Sequence, residues 1–373
     1  MKDWSRVIIH IDLDCFFAAV HVKHHPFLKN RPVIIGSDPR AGNGRGVIST
    51  CSYEARVYGL HSGMPISKAY QLCPDGIYIC SRNQISFPQY SEESDQVMAI
   101  LGRYSDKFQY AGRDEAYLDV SAEWNKYGEI PGKIAEHIQS SVKNEVALSV
   151  SVGVAETKSI AKIASDIDKP GGITLIHNSD IPNKLYHLPI RKIIGVGKKT
   201  EVRLQKKGIH AIGDIAGLPR ERAFLLLGDW GLHLKKVVMG ENFKEVGNFR
   251  GRRQSMSSER TFGADQTDWS IVCEKVNQIT ANLAKQLKER RLLSKTITIK
   301  IRFQGFQTFT RSHSFRSHIS DEQTINTIAE KLLLEFATSS EPLTFSKPVR
   351  LIGVKVSTLK SSAGQPSLES FFQ

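Results

Sequence analysis

Apolar residues in the first half of the chain fall either into short runs or into stripes three and four apart. Val7-Ile8-Ile9-His10-Ile11 is a run suited to a strand buried on both faces. Similar segments predict strands at 6–11, 33–36, 46–50, 76–80, 107–110, 116–120, 148–154 and 173–176. The stripes predict helices at 16–25, 53–58, 65–72, 88–105, 130–145 and 158–166. Taking out residues 21–82 leaves β-(α)-β-β-α-β, the order of a ferredoxin-like sheet. The excised segment would be a small inserted subdomain.

The second half changes character. Residues 179–243 read as helices around Ile193-Ile194-Gly195-Val196-Gly197-Lys198-Lys199, a turn that would present backbone N–H groups at a helix start and so offer an anion site. It resembles a helix-hairpin-helix, which holds a DNA phosphate without reading bases, or else is a plain helix–helix turn. Leu227-Gly228-Asp229-Trp230-Gly231 is a weaker copy. Residues 244–253, with Arg250, Arg252 and Arg253, read as a basic linker. Alternation then predicts strands at 295–304 and 306–315 and a last one at 348–357, with helices at 268–290 and 321–338. Outward positions Lys295, Lys300, Arg302 and Arg311 would set cations where a β-surface can lie beside a major groove.

Chemistry enters with the acids. The first strand runs into Asp12-Leu13-Asp14, and Gly112-Arg113-Asp114-Glu115 precedes the strand at 116–120. Side by side, the two strands would gather Asp12, Asp114 and Glu115. Carboxylates that close raise one another's pKa unless cations neutralise them. Mg²⁺ suits an all-oxygen site and brings phosphates with it, and two such ions clamp both oxygens of an in-line phosphoryl displacement. Taken singly, an Asp after a strand is also an ordinary turn residue.

Charge sharpens the division. The 373 residues carry a net +13, yet residues 179–243 hold 12 Lys/Arg against 6 Asp/Glu and residues 244–318 hold 15 against 6, so the acid-bearing remainder is slightly negative. That pattern suits a polyanion held by the second half, with a generic basic surface as the alternative. Five cysteines, odd in number and without zinc spacing, point to a reduced intracellular chain. No leader and no apolar run near 18 residues points to secretion or a membrane.

Four spaced segments resemble the Y-family DNA polymerases, in particular the DinB or DNA polymerase IV branch. His10 to Val20 resembles the first catalytic motif and Gly112 to Val120 the second. Gly46-Val47-Ile48-Ser49-Thr50-Cys51-Ser52-Tyr53-Glu54-Ala55-Arg56 resembles the nucleotide-binding segment of the fingers, and Val152 through Asp166 to Lys169-Pro170-Gly171-Gly172 the last palm motif. The likeness spans roughly residues 5 to 355 in order.

The resemblance implies an α+β, multidomain right-hand polymerase. Its ferredoxin-like palm would occupy 1–178, with small fingers inserted at about 21–82. A helical thumb at 179–243, the linker 244–253, an α/β little finger at 254–356 and a flexible tail at 357–373 would follow. The implied activity is template-directed, low-fidelity translesion synthesis on primer-template DNA with dNTPs and two Mg²⁺, without a proofreading nuclease, by a monomer in the cytoplasm at the nucleoid. Asp12 and Asp114 would bridge the metals, Glu115 would bind the catalytic one, and the Leu13 carbonyl would complete the shell. Phe17 aligns with the steric gate that excludes ribonucleotides, while Phe16 reads as core. Thr50, Tyr53, Arg56 and Lys169 match triphosphate contacts. Gly195, Gly197, Lys198, Lys199, Arg252, Arg253, Lys295, Lys300, Arg302 and Arg311 would meet DNA.

Lys162 is open between DNA contact and solvated surface, and Asp14 reads as a cap for the helix near Phe16. Gln365, Leu368, Phe371 and Phe372 have the spacing of a sliding-clamp peptide, since exposed Phe-Phe on such a tail implies a partner pocket. Three positions depart from the family: His21 stands where Glu is usual, and Gly112-Arg113 where Ser and an aliphatic residue are usual. A nucleotidyl cyclase on the same palm, or a non-catalytic DNA- or clamp-binding protein, are the rival readings.

Overall fold

The structure is a computed structural model that describes residues 3–40, 44–80, 86–247, 253–338 and 341–362. Residues 3–39 and 44–247 form one compact unit and residues 253–362 another.

In the first unit, β1 (Ile8–Leu13) is buried at all but one position, as a central strand covered on both faces must be. It leads into α1 (Phe16–His24). A small sheet follows, built from β2 (Val33–Gly36), β3 (Ile48–Cys51), α2 (Tyr53–Arg56), α3 (Ile66–Leu72) and β4 (Ile77–Cys80). Its strands are ordered β3-β2-β4, with β2 and β4 parallel. The chain returns through α4 (Phe87–Leu101), β5 (Phe108–Tyr110), β6 (Glu115–Asp119), α5 (Gly132–Val146), β7 (Val150–Ala155), α6 (Lys158–Ser165) and β8 (Ile173–Ile176).

The main sheet is ordered β5-β6-β1-β7-β8. Its first four strands are antiparallel in the ferredoxin-like order expected from the sequence, and β8 extends the edge parallel to β7. On one face α4 and α5 supply Val97, Leu101, Ile134, Ile138 and Val142 to a core with Ile9, Ile11, Leu118 and Val152. On the other, α6 packs so tightly on β7 that a Cβ on Gly153 would stand 2.0 Å from the Ala161 carbonyl oxygen. That second core continues without a break into α7 (Ile181–Leu185), α8 (Lys198–Gln205), α9 (Ile212–Gly217), α10 (Arg220–Leu227) and α11 (Asp229–Val238).

The second unit comprises β9 (Ser255–Asp268), α12 (Trp269–Glu289), β10 (Leu292–Phe303), β11 (Thr308–Ile319), α13 (Glu322–Leu334), β12 (Thr344–Ser357) and a short β13 (Lys360–Ser361). Its antiparallel sheet is ordered β11-β10-β12-β9. Both helices contribute to one core, with Val276, Leu283, Ile325 and Leu333 against Ile297, Ile299, Ile352 and Val354. The sequence reading missed β9. It is an edge strand in which only Met256 and Phe262 are buried, so it carries no period-two apolar signal.

Candidate active site

The register of the main sheet delivers the first sequence expectation. Asp12 on β1 pairs directly with Glu115 on β6, and the Leu13 N–H donates to the Asp114 carbonyl at 2.9 Å. Three acids a hundred residues apart in sequence are thus fixed at one end of two adjacent strands. Two of these side chains are held by lysines. Lys169 Nζ lies 2.7 Å from Asp12 Oδ1 and 2.8 Å from Asp166 Oδ1, and Lys162 Nζ donates to Glu115 Oε1. Lys162 is therefore not plain solvated surface, since its ammonium neutralises Glu115. The Asp114 carboxylate turns back over Gly112, its Oδ1 only 3.1 Å from where a Cβ on that glycine would stand. Gly112, one of the departures from the family pattern, thereby leaves Asp114 room.

Electrostatics separate the acids. Burial pushes the Asp12 carboxyl up to about 7 against the pull of Lys169, and burial also raises Asp114. Glu115 is held far below the carboxylate range by His10 and Lys162, against its own burial. His10 was not singled out from the sequence, where it is one letter in an apolar run. Its ring is fully buried, with Nδ1 2.8 Å from Ser165 Oγ and Nε2 3.9 Å from Glu115 Oε2.

Among the described residues no three acidic, His or Cys side chains converge as a ready ligand set, because the lysines occupy two of the acids. The donor chemistry nonetheless fits a hard divalent cation. The candidate donors are oxygens, and burial has raised the proton affinity of two of them without full compensation.

Around the acids, Phe16 is buried in the core while Phe17 is half-buried and stacks on Tyr90, with ring centroids 4.2 Å apart. The Tyr90 hydroxyl is in turn 2.7 Å from Nε2 of His21, the residue that replaces the usual Glu. Arg113 points away from the carboxylates and reaches Ser91 Oγ on α4. On the small sheet, Thr50 on β3 is half-exposed and pairs with Ile35. Tyr53 and Arg56 share one face of α2, the guanidinium 4.4 Å from the ring centroid. Asp14 is not a cap. The α1 N-cap is Cys15, without a side-chain bond, and Asp14 instead accepts from Tyr53, Ser149, Ser151 and Gly171.

The expected nucleic-acid contacts divide. Gly195 adopts φ +88° and Gly197 is the N-cap of α8, so Lys198 and Lys199 begin a helix and are exposed. A cleft beside them is lined by Lys162, Asp166, Arg191, Lys192 and the turn itself. In the second unit, Lys300 and Arg302 sit on the face of β10 opposite its buried isoleucines, Lys300 paired with Glu259 at 2.8 Å. Lys295 is half-buried and has the parity of Ile297 and Ile299 along β10, whose register against β12 and β13 runs unbroken past it, so it does not stand with Lys300 and Arg302 as expected. Nor does Arg311. It pairs across the strands with Ile299, so its side chain belongs to the helix-covered face, where it meets Glu335 at 2.7 Å and lies over the Phe336 ring. Its expected place on the outward surface is therefore corrected. Arg253 is exposed, while Arg252 and the tail residues Gln365, Leu368, Phe371 and Phe372 lie outside the described residues.

Comparison with known proteins matches this architecture along the chain. Residues 11–166 match the impB/mucB/samB family, 178–209 the IMS family HHH motif, and 253–369 the impB/mucB/samB family C-terminal domain. The chain is 40 % identical to DNA polymerase IV of Methanoculleus marisnigri over 100 % of both chains. It is 38 % identical to DNA polymerase IV of Streptococcus suis, over 97 % of this chain and 98 % of that one. The solved Y-family DNA polymerase chimera Dbh-Dpo4(243-245)-Dbh superposes with a TM-score of 0.80 at 28 % identity, over 95 % of this chain and 99 % of that one. A ferredoxin-like palm bearing paired acids, followed by a helix-hairpin-helix segment, defines the class as a right-hand, α+β polymerase fold. Within it, the chain belongs to the impB/mucB/samB family, the Y-family polymerases of DinB type.

Proposed function

We propose that this chain is a template-directed, low-fidelity translesion DNA polymerase that transfers nucleotides from dNTPs to a primer 3′ end. The observation that carries it is the pairing of Asp12 with Glu115 while the Asp114 backbone is tied to Leu13. The family's dependence on divalent metal fits these oxygens. In this reading Asp12, Asp114, Glu115 and the Leu13 carbonyl would hold two Mg²⁺. When bound, the ions neutralise the acids and stabilise charge on the attacking and leaving oxygens. With the acids so neutralised, Lys169, now paired with Asp12 and Asp166, would be available with Thr50, Tyr53 and Arg56 for the triphosphate. In this reading the half-buried Phe17 ring would stand against the ribose and collide with a 2′ oxygen.

The division into palm with inserted fingers, thumb and little finger belongs to this proposal. So do binding to a sliding clamp through Gln365, Leu368, Phe371 and Phe372, a monomeric state, and work at the cytoplasmic nucleoid. Among the described residues no helix is long and apolar enough to cross a membrane. A cyclase on the same palm would need neither the Gly195–Lys199 turn nor a second, basic unit, and a non-catalytic protein would not need the acids. Primer extension with all four dNTPs opposite plain and lesion-bearing templates is the test. Templated extension past a lesion is expected, and its absence on every template would refute the reading.

A further inference from the structure

The second acid of Asp12-Leu13-Asp14 is engaged quite differently from the first. Its carboxylate is 3 % exposed and accepts four hydrogen bonds. Oδ1 receives Ser151 Oγ at 2.7 Å and the Tyr53 hydroxyl at 3.1 Å, and Oδ2 receives Ser149 Oγ at 2.7 Å and the Gly171 N–H at 2.9 Å. The Gly171 N–H is also shared with Ser151 Oγ at 3.0 Å. A carboxylate has about four acceptor sites, so this one is saturated by protein donors and has none to spare for a metal.

Those donors come from distant parts of the chain. Tyr53 opens α2, a single turn whose other anchor is the Ser52 cap. Arg56 rests on the Tyr53 ring, so whatever fixes that ring also orients the guanidinium. Gly171 lies two residues after Lys169, in a turn that takes φ +70° there. One buried charge therefore ties together the two segments that carry Tyr53, Arg56 and Lys169. Charge-assisted hydrogen bonds are among the stronger ones, and in a site shielded from water they hold geometry well.

We propose that Asp14 is a positioning residue for the incoming nucleotide, setting Tyr53 of α2 and the Lys169–Gly171 turn at the separation one triphosphate requires. This rests on the polymerase reading above, and it assigns Asp14 neither metal binding nor contact with substrate.

The test is steady-state single-nucleotide insertion by the full chain on a primer-template with Mg²⁺, alongside primer-template affinity and thermal melting. Asp14→Asn keeps the shape but turns an amide N–H₂ toward donors. Its KM for dNTP is expected to rise about tenfold or more while kcat stays within about threefold and DNA affinity is unchanged. Ser149→Ala removes one exposed donor without threatening the fold, and should raise KM by about two- to threefold in the same pattern. In a Tyr53→Phe background the effect of Asp14→Asn should shrink, because the two act through one hydrogen bond. Unchanged KM in Ser149→Ala and Asp14→Asn overturns the inference, as does a proportional loss of kcat and DNA binding with a lowered melting temperature. If Asp14→Asn does not fold, unchanged KM in Ser149→Ala alone overturns it. A parent chain that extends no primer overturns the polymerase reading instead, and this inference with it.

Discussion

Phe17 and Tyr90 stack nearly face to face, with their planes 20° apart, and the Tyr90 hydroxyl is fixed by His21. Phe17 is thus backed by a buried ring that cannot yield, which makes it a rigid wall rather than a loose side chain. Phe17→Ala should admit ribonucleotides, improving their use by roughly 10- to 100-fold, while deoxynucleotide insertion changes much less. Equal ribonucleotide use by variant and parent would show that the ring only packs.

The acid cluster predicts a different signature. Glu115→Ala should lower insertion by about 100-fold or more, because it removes a group that stabilises charge developing in the transition state. Primer-template affinity should stay near the parent value, since the basic turn at Gly195–Lys199 and the second unit are untouched. The same variant releases Lys162, whose ammonium now rests on Glu115. Undiminished extension by Glu115→Ala would remove it from the site.

Much of this site was legible beforehand for a physical reason. Strand runs flanked by acids, as at Ile8–Asp12 and Glu115–Asp119, report both their burial and their edges, and the motif order fixed which strands are neighbours. What was hidden depends on register and on side chains meeting across long separations. The Lys162–Glu115 and Lys169–Asp12 pairs, the His10 contact and the four donors to Asp14 join residues 39 to 157 positions apart, which no local pattern encodes. Asp14 read as a helix cap because Asp before a helix normally is one. Arg311 read as outward because parity along one strand was counted without the register that sets it opposite Ile299. The edge strand β9 buries too little to leave an apolar rhythm.

His21 should make folding stability pH-dependent. Burial, then the neighbouring His25 and His24, lower its pKa from 6.5. The unfolded chain therefore takes up a proton at a pH where the folded chain does not. Its contribution is complete above about 6.5 and is lost as pH falls from there toward the folded value. His21→Gln retains a partner for the Tyr90 hydroxyl but cannot titrate, so denaturant unfolding at pH 7.5 and 5 should show a shallower acid loss. An identical slope in parent and variant would contradict this.

The tail makes a kinetic prediction. Phe371→Ala with Phe372→Ala should leave short-primer synthesis unchanged and abolish stimulation by the cognate clamp, because tethering raises effective concentration without altering the active site. Full stimulation of the double variant would rule the peptide out as the tether.

Faces of the second sheet can be told apart by DNA affinity. Lys300 and Arg302 stand on the open face of β10, whereas Arg311 is engaged by Glu335 and Phe336 on the helix side. Phosphate contacts give affinity that falls with salt through counterion release and depends little on sequence. Lys300→Ala with Arg302→Ala should therefore weaken primer-template binding on every sequence and reduce the salt slope by about two. Lys198→Ala with Lys199→Ala should do the same from the hairpin turn. Arg311→Ala should leave affinity and slope near the parent values, while lowering stability through the lost packing on Phe336. A loss of DNA binding in Arg311→Ala as large as in Lys300→Ala with Arg302→Ala would reverse the assignment of faces.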